Sequence, residues 1–256
     1  MENKEKKQML TTELTKEKGG GIVGIIQDIT INGIKLHLAQ NGTGGPDIFW
    51  GMYPHQGNEV EHLWESLLEC VSEQNFLLVA FQVEDWNLDF SPWKASAVFG
   101  KEDFAGQGAK TLKWLTEECV PYIDRTFGAK DREHWLMGYS LAGLFALWTA
   151  YENDAFSGII CCSGSLWFPE WDHYMREHML RSKCSVYLSL GGKEEKTRNK
   201  IMAAVGDRTR AQEERLEEDP MVESVVLEWN AGGHFADAGK RLAKGVRWMF
   251  GAKNGL

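Results

Sequence analysis

The chain lacks an apolar run long enough to cross a bilayer, which takes about 20 residues. Its opening residues, MENKEKKQML, lack the apolar stretch of a secretory signal. Cys-x-x-Cys is missing, which argues against a zinc ribbon. The five cysteines (Cys70, Cys119, Cys161, Cys162 and Cys184) are odd in number and irregularly spaced, so no disulfide framework is expected. Together these absences predict a cytoplasmic protein with reduced thiols. Positive charge is also in short supply: 28 Lys and Arg against 37 Asp and Glu give a net charge of −9. Nucleic-acid and anionic-membrane binders need basic patches. Here the bases are interleaved with acids, as in Lys193-Glu194-Glu195-Lys196, so neither partner is expected. Nothing in the sequence sets an oligomeric state.

What is present suits one globular domain. A chain of 256 residues that is 43% hydrophobic can bury a core without disulfides or metals. Repeats, linkers and low-complexity boundaries are missing. The expected organisation is a charged N-terminal segment over residues 1–20 and a single domain over 21–256. Eleven tryptophans are more than most cores need, and some are expected to line a pocket for a flat or apolar group.

Residues 19–24, GGGIVG, match G-x-G-x-x-G, but a dinucleotide site needs a strand before and a helix after. A charged segment precedes them. Residues 29–38 then alternate with period two around Asn32-Gly33, a strong hairpin signal, so the nucleotide reading is rejected. Beyond the hairpin, strands at 47–50, 76–83, 134–137, 156–161, 186–190 and 222–229 alternate with helices at 60–71, 110–125, 141–151 and 197–216. A C-terminal helix carries Ala238, Leu242, Val246 and Met249 on one face. Pro121 is expected to bend or split the helix over 110–125. The segment 76–83, FLLVAFQV, is apolar nearly throughout, as for a strand covered on both faces. The pattern predicts an α/β fold: a mostly parallel sheet with an N-terminal hairpin and helices on both faces.

Ligands of such sheets bind at the carboxyl ends of the strands. Strand 134–137 leads into Gly138-Tyr139-Ser140-Leu141-Ala142-Gly143. This approximates the G-x-S-x-G turn that lifts a serine out at a helix N-terminus, with Ala142 replacing the second glycine. A serine hydroxyl needs a base, and the base an orienting acid, in the chain order Ser, acid, His. Strand 186–190 ends in Gly191-Gly192-Lys193-Glu194-Glu195, and strand 222–229 ends in Asn230-Ala231-Gly232-Gly233-His234. Order and position both fit, with Glu194 the first choice of acid and Glu195 the second. The backbone N–H of Leu141 is one candidate oxyanion donor, and that of Gly51 or Met52 the other. A plain turn around Pro54 explains the second loop equally well. His55, beyond the strand ending at Trp50, and Tyr139 are candidate substrate contacts. His37, His62, His134, His173 and His178 read as surface or structural histidines.

Several stretches carry a resemblance: WNLDFSPWKASAVFGKEDFAGQG (86–108), TLKWLTEECVPYIDRTFG (111–128), LMGYSLAGLFALW, CSGSLWFPEW (162–171), LSLGGKEEKTRN and GGHF. From about Asp85 to the C-terminus the chain resembles the esterase D-like α/β-hydrolases, a group that includes the siderophore (enterochelin-type) esterases. Its early strands look abbreviated against that family. The resemblance implies an α/β-hydrolase fold and a serine hydrolase of carboxylic esters needing neither metal nor cofactor. Ser140 would be the nucleophile, His234 the general base and the residue after the Gly191 strand end the acid. Trp86, Trp93, Trp167 and Phe168 fall in loops that border the site in similar proteins, as an aromatic wall or as core. The expected partner is a small-molecule ester: a siderophore lactone, a feruloyl ester, an acetylated sugar or a small acyl ester. The net charge disfavours anionic substrates unless Lys193 or Arg198 lies near the pocket. An acyltransferase or thioesterase with the same nucleophile, and a non-catalytic binding protein of this fold, stay open.

Overall fold

Asn32 and Gly33 both take positive φ, 47° and 91°, the backbone of a type I′ hairpin turn. They join β2 (Ile26–Ile31) to β3 (Ile34–Asn41), with Ile31 opposite Ile34. The computed structural model describes residues 11–12, 26–53, 58–128 and 132–254. The charged segment 1–20, apart from 11–12, lies outside them, as does GGGIVG. β1 (Thr11–Thr12) pairs with β2 at the sheet edge. There follow β4 (Asp47–Met52), α1 (Glu59–Val71), β5 (Phe76–Gln82), α2 (Trp86–Asp89), β6 (Lys94–Ala95), β7 (Phe104–Ala105) and α3 (Gly108–Trp114). Then come α4 (Val120–Phe127), β8 (His134–Tyr139), α5 (Leu141–Glu152), β9 (Gly158–Cys162), α6 (Trp171–Glu177) and β10 (Cys184–Gly191). The chain closes with α7 (Lys200–Ala203), α8 (Val205–Glu217), β11 (Val222–Asn230) and α9 (Ala238–Asn254).

The main sheet runs β1-β2-β3-β5-β4-β8-β9-β10-β11. Pairing is antiparallel as far as β3–β5 and parallel from β5–β4 to β10–β11. Alternate residues of β5 feed two cores, as a doubly covered strand requires. Leu77, Val79 and Phe81 face the side of α3 and α5. Phe76, Leu78 and Ala80 face the side of α1 and α9. Every residue of α5 from Leu141 to Tyr151 is buried. Cys161 and Cys162 are buried in β9, and all five cysteines are free thiols. Among the described residues no helix is long and apolar enough to cross a membrane.

The early strands β3 and β4 run to eight and six residues. The helix around Pro121 is interrupted as expected: a π-helical turn over Leu115–Cys119 separates α3 from α4, and Pro121, in the first turn of α4, has no N–H to donate back into that turn. The helix expected over 197–216 is two helices. The Asn199 side chain accepts from the N–H groups of Ile201 and Met202 and donates to the Val98 carbonyl, so it caps a new start at α7.

Asp47 and His134 sit opposite each other at the amino ends of β4 and β8, the sheet end away from Ser140. Asp47 is fully buried. Arg132 Nη2 lies 2.7 Å from it and His134 Nε2 3.6 Å, while Asp124 shares His134 at 3.0 Å. Arg132 aims N–H groups at the carbonyls of Gly45 and Pro46 instead, and neither Asp47 oxygen has a well-aligned donor. Burial therefore pushes the Asp47 carboxyl up to about 7, against the pull of Arg132. The native state then holds a proton that the unfolded chain, with a carboxyl pKa of about 3.9, releases. Stability from this group is full below the unfolded value and is lost as pH rises through 7. Between pH 5 and pH 9 the parent protein is expected to lose about 3 kcal/mol more than Asp47→Asn, as read from urea unfolding at both pH values.

Candidate active site

Ser140 joins β8 to α5 with φ 59° and ψ −123°, a backbone region that costs a non-glycine residue about 1–3 kcal/mol. The surroundings hold it there. Its N–H donates to the Cys162 carbonyl at 3.1 Å, and its carbonyl accepts from Leu144 at 3.1 Å and Ser165 at 3.0 Å. A Cβ on Gly138 would lie 2.1 Å from the Ala142 carbonyl oxygen, so glycine is required at that position. The other close approach is at Gly143, where a Cβ would lie 3.1 Å from the Gly138 carbonyl oxygen. Strand and helix thus meet at Gly138 and Gly143, and Ala142 is accommodated, buried, at the place where the motif has its second glycine.

His234 comes from the loop between β11 and α9. Its Nε2 lies 3.0 Å from Ser140 Oγ, and its Nδ1 lies 2.7 Å from Glu194 Oε2. An ionised carboxylate only accepts, so Nδ1 carries the proton and Nε2 is free to accept from the serine hydroxyl. Glu194 Oε1 accepts from Ser163 Oγ at 2.7 Å, the Gly191 N–H at 2.8 Å and Arg241 Nη1 at 3.1 Å. Burial alone would raise the Glu194 carboxyl. The hydrogen bonds from His234, Ser163 and Gly191 outweigh it and hold the group below the usual glutamate range.

A 3₁₀ turn over Glu194–Lys196 sends the two adjacent glutamate side chains different ways, Glu194 to His234. Glu195 turns to α8, where Arg210 Nη2 donates to it at 2.9 Å. A Cβ on Gly206 would collide with its carboxylate.

Sequence reasoning missed Arg241, which is 2% exposed. Its Nη1 also donates to Ser163 Oγ at 2.9 Å and Tyr139 Oη at 3.1 Å. Its Nη2 donates to the carbonyls of Ala231 at 3.0 Å and Gly233 at 2.9 Å. One guanidinium thus grips both Glu194 and the loop that carries His234. The Tyr139 hydroxyl donates to the His234 carbonyl at 2.6 Å; burial pushes its pKa up to about 12, so it stays protonated.

Ser140 and His234 open into a cleft of about 1100 Å³. Trp86, Trp167, Tyr139 and Gly51 line it. Trp93 and Phe168 do not. Trp93 Nε1 donates to the Pro169 carbonyl at 3.0 Å and its ring stacks on Trp171, while Phe168 is buried against Phe104. Those two serve the core. Met52 is buried, and His55 lies outside the described residues. Gly51 is required by packing, since a Cβ there would meet the Phe90 ring at 2.6 Å. Leu141 is the first residue of α5, so its N–H is one of the donors a helix start leaves without an intrahelical partner. Of the histidines read as structural, His37 pairs with Asp28 and Gln82, whereas His62 reaches the cleft wall.

Sheet order and a serine at a strained strand-to-helix turn define an α/β-hydrolase. A family model described as "Putative esterase" matches residues 56–249; the chain belongs to that family and is a carboxylic ester hydrolase. The search of curated protein sequences found no match. Among solved structures, the fold is similar to an IroE-like serine hydrolase from Shewanella oneidensis. That pair has a TM-score of 0.70 and 13% identity over 85% of this chain and 75% of that one. It is also similar to the siderophore hydrolase EstA from Aspergillus nidulans, with a TM-score of 0.70 and 14% identity over 97% and 95% of the two chains. The enterobactin esterase FES from Shigella flexneri matches at a TM-score of 0.61 and 16% identity, over 85% of this chain and 55% of its own.

Proposed function

We propose that the protein hydrolyses a small-molecule carboxylic ester through an acyl-enzyme on Ser140. His234 Nε2 takes the Ser140 proton as Oγ attacks the ester carbonyl. Glu194 holds the imidazole in the required tautomer and offsets the charge it gains. The Leu141 N–H and one from Gly51 or Met52, at the carboxyl end of β4 and not in the loop after it, receive the oxyanion. His234 then protonates the leaving alcohol, and the C–O bond breaks. Water, deprotonated by the same nitrogen, adds to the acyl carbonyl and releases the acid and free Ser140. The observation that carries this reading is the unbroken line from Ser140 Oγ through His234 to Glu194, at 3.0 and 2.7 Å. Siderophore-type esters are the first substrate class to test, because two structural neighbours bear those names; feruloyl and small acyl esters come next. We further propose that residues 21–256 act as one domain in the cytoplasm.

A fluorophosphonate probe is expected to leave one adduct, located at Ser140 by peptide mass spectrometry. Ser140→Ala should abolish both labelling and ester turnover. An adduct elsewhere on folded protein, or turnover that survives the substitution, would overturn the assignment.

A further inference from the structure

The cleft around Ser140 is large, acidic and aromatic. Its volume of about 1100 Å³ sits at the top of the range for small-molecule sites, so it suits a bulky ester better than an acetyl group. Four carboxylates line it: Glu59, Glu84, Asp85 and Glu102. Among the described residues no lysine or arginine does. Lys193 and Arg198, the two cations that could have balanced it, are not in the wall. Arg241 lies beneath the site with its charge spent on Glu194. Seven aromatic side chains share the wall, among them Trp86, Phe99, Trp167 and Phe235. Phe235 is 95% exposed and edges onto the His234 ring at 5.1 Å. An aromatic side chain left in solvent beside the reacting atoms has no packing role in the folded protein.

Resting on the ester-hydrolase reading above, we infer that the cleft selects bulky esters whose acyl or alcohol part is aromatic or apolar and carries no negative charge. Phe235 sets this specificity by covering that part, and the acidic rim repels anions and attracts cations. The carboxylates make the field at the cleft mouth negative, which lowers the local concentration of an anionic ester and raises that of a cationic one. The rings supply apolar contact, and their faces favour a cation over an anion.

The test is a set of p-nitrophenyl esters of phenylacetic acid bearing a 4-methoxy, 4-carboxylate or 4-trimethylammonium group, with p-nitrophenyl acetate beside them. Each rate is normalised to its hydroxide-catalysed hydrolysis. At low salt kcat/KM is expected to be roughly tenfold higher for the cationic than the anionic ester, with the neutral one between. The gap should shrink in 1 M NaCl, where the Debye length is about 3 Å, and in the Glu84→Gln/Glu102→Gln double variant. Phe235→Ala should raise KM for the phenylacetates and lower their kcat/KM relative to the acetate. An anionic ester turned over as well as the cationic one, or a gap that ignores both salt and the double variant, would overturn this inference while leaving the esterase reading intact. No turnover of any member, acetate included, would overturn both.

Discussion

Glu194→Gln is expected to lower kcat/KM for a neutral p-nitrophenyl ester by about 10⁴, while Glu195→Gln leaves it near the parent value. A glutamine keeps the shape of Glu194 but can present an NH₂ to His234 Nδ1. The imidazole then carries its proton on Nε2, the nitrogen 3.0 Å from Ser140 Oγ, and can no longer accept from the serine. The Gly191 N–H and Ser163 hydroxyl donate to Oε1 in the parent, which favours the amide oxygen at that position and therefore the NH₂ towards His234. Glu195 pairs with Arg210, which is 44% exposed; a pair of that kind is worth about 0–1 kcal/mol. Steady-state kinetics on both variants, with thermal melts to establish folding, is the measurement. A large loss in the Glu195 variant with a small one in the Glu194 variant would reverse the assignment.

The features of this site that were legible in the sequence are those set by near neighbours in the chain. Asn32-Gly33 needs only its own dihedrals to make a hairpin. Gly138 and Ser140 are separated by one residue, and the close approach of β8 and α5 dictates both. The positions of Glu194 and His234 follow from strand ends, which hydrophobic runs mark well. What stayed hidden depends on where a side chain points after a loop has turned. Glu194 and Glu195 differ only in which way a 3₁₀ turn faces them. Trp86, which opens α2, and Trp93, just beyond it, are seven residues apart, yet one lines the cleft and the other stacks on Trp171. Arg241 was masked by its helix. It neighbours Leu242 on a face read from apolar residues alone, and a cation beside that face looks like a solvated edge. The usable signal was Glu194 itself, since a buried carboxylate requires buried donors.

Arg241→Met is the second large effect expected. The substitution removes a cation that is 2% exposed and with it donors to Glu194, Ser163, Tyr139, Ala231 and Gly233. Breaking a buried ion pair from one side costs about 3–5 kcal/mol, which in a domain of this size lowers Tm by roughly 10 °C. Arg241 touches no reacting atom, so its effect on rate is one of positioning. With the Ala231 and Gly233 carbonyls released, the loop before α9 no longer fixes His234 against Ser140, and kcat should fall by about 100-fold with KM near the parent value. Arg241→Lys separates charge from geometry. It keeps the cation for Glu194 but has no fork to reach the acid and the loop together, so it should regain stability more than kcat. Combining Arg241→Met with Glu194→Gln removes both charges. The double variant should then be more stable than the sum of the single losses predicts, by about 0.5–3 kcal/mol. Strict additivity would mean that the two residues are held independently, and that the guanidinium serves the loop alone.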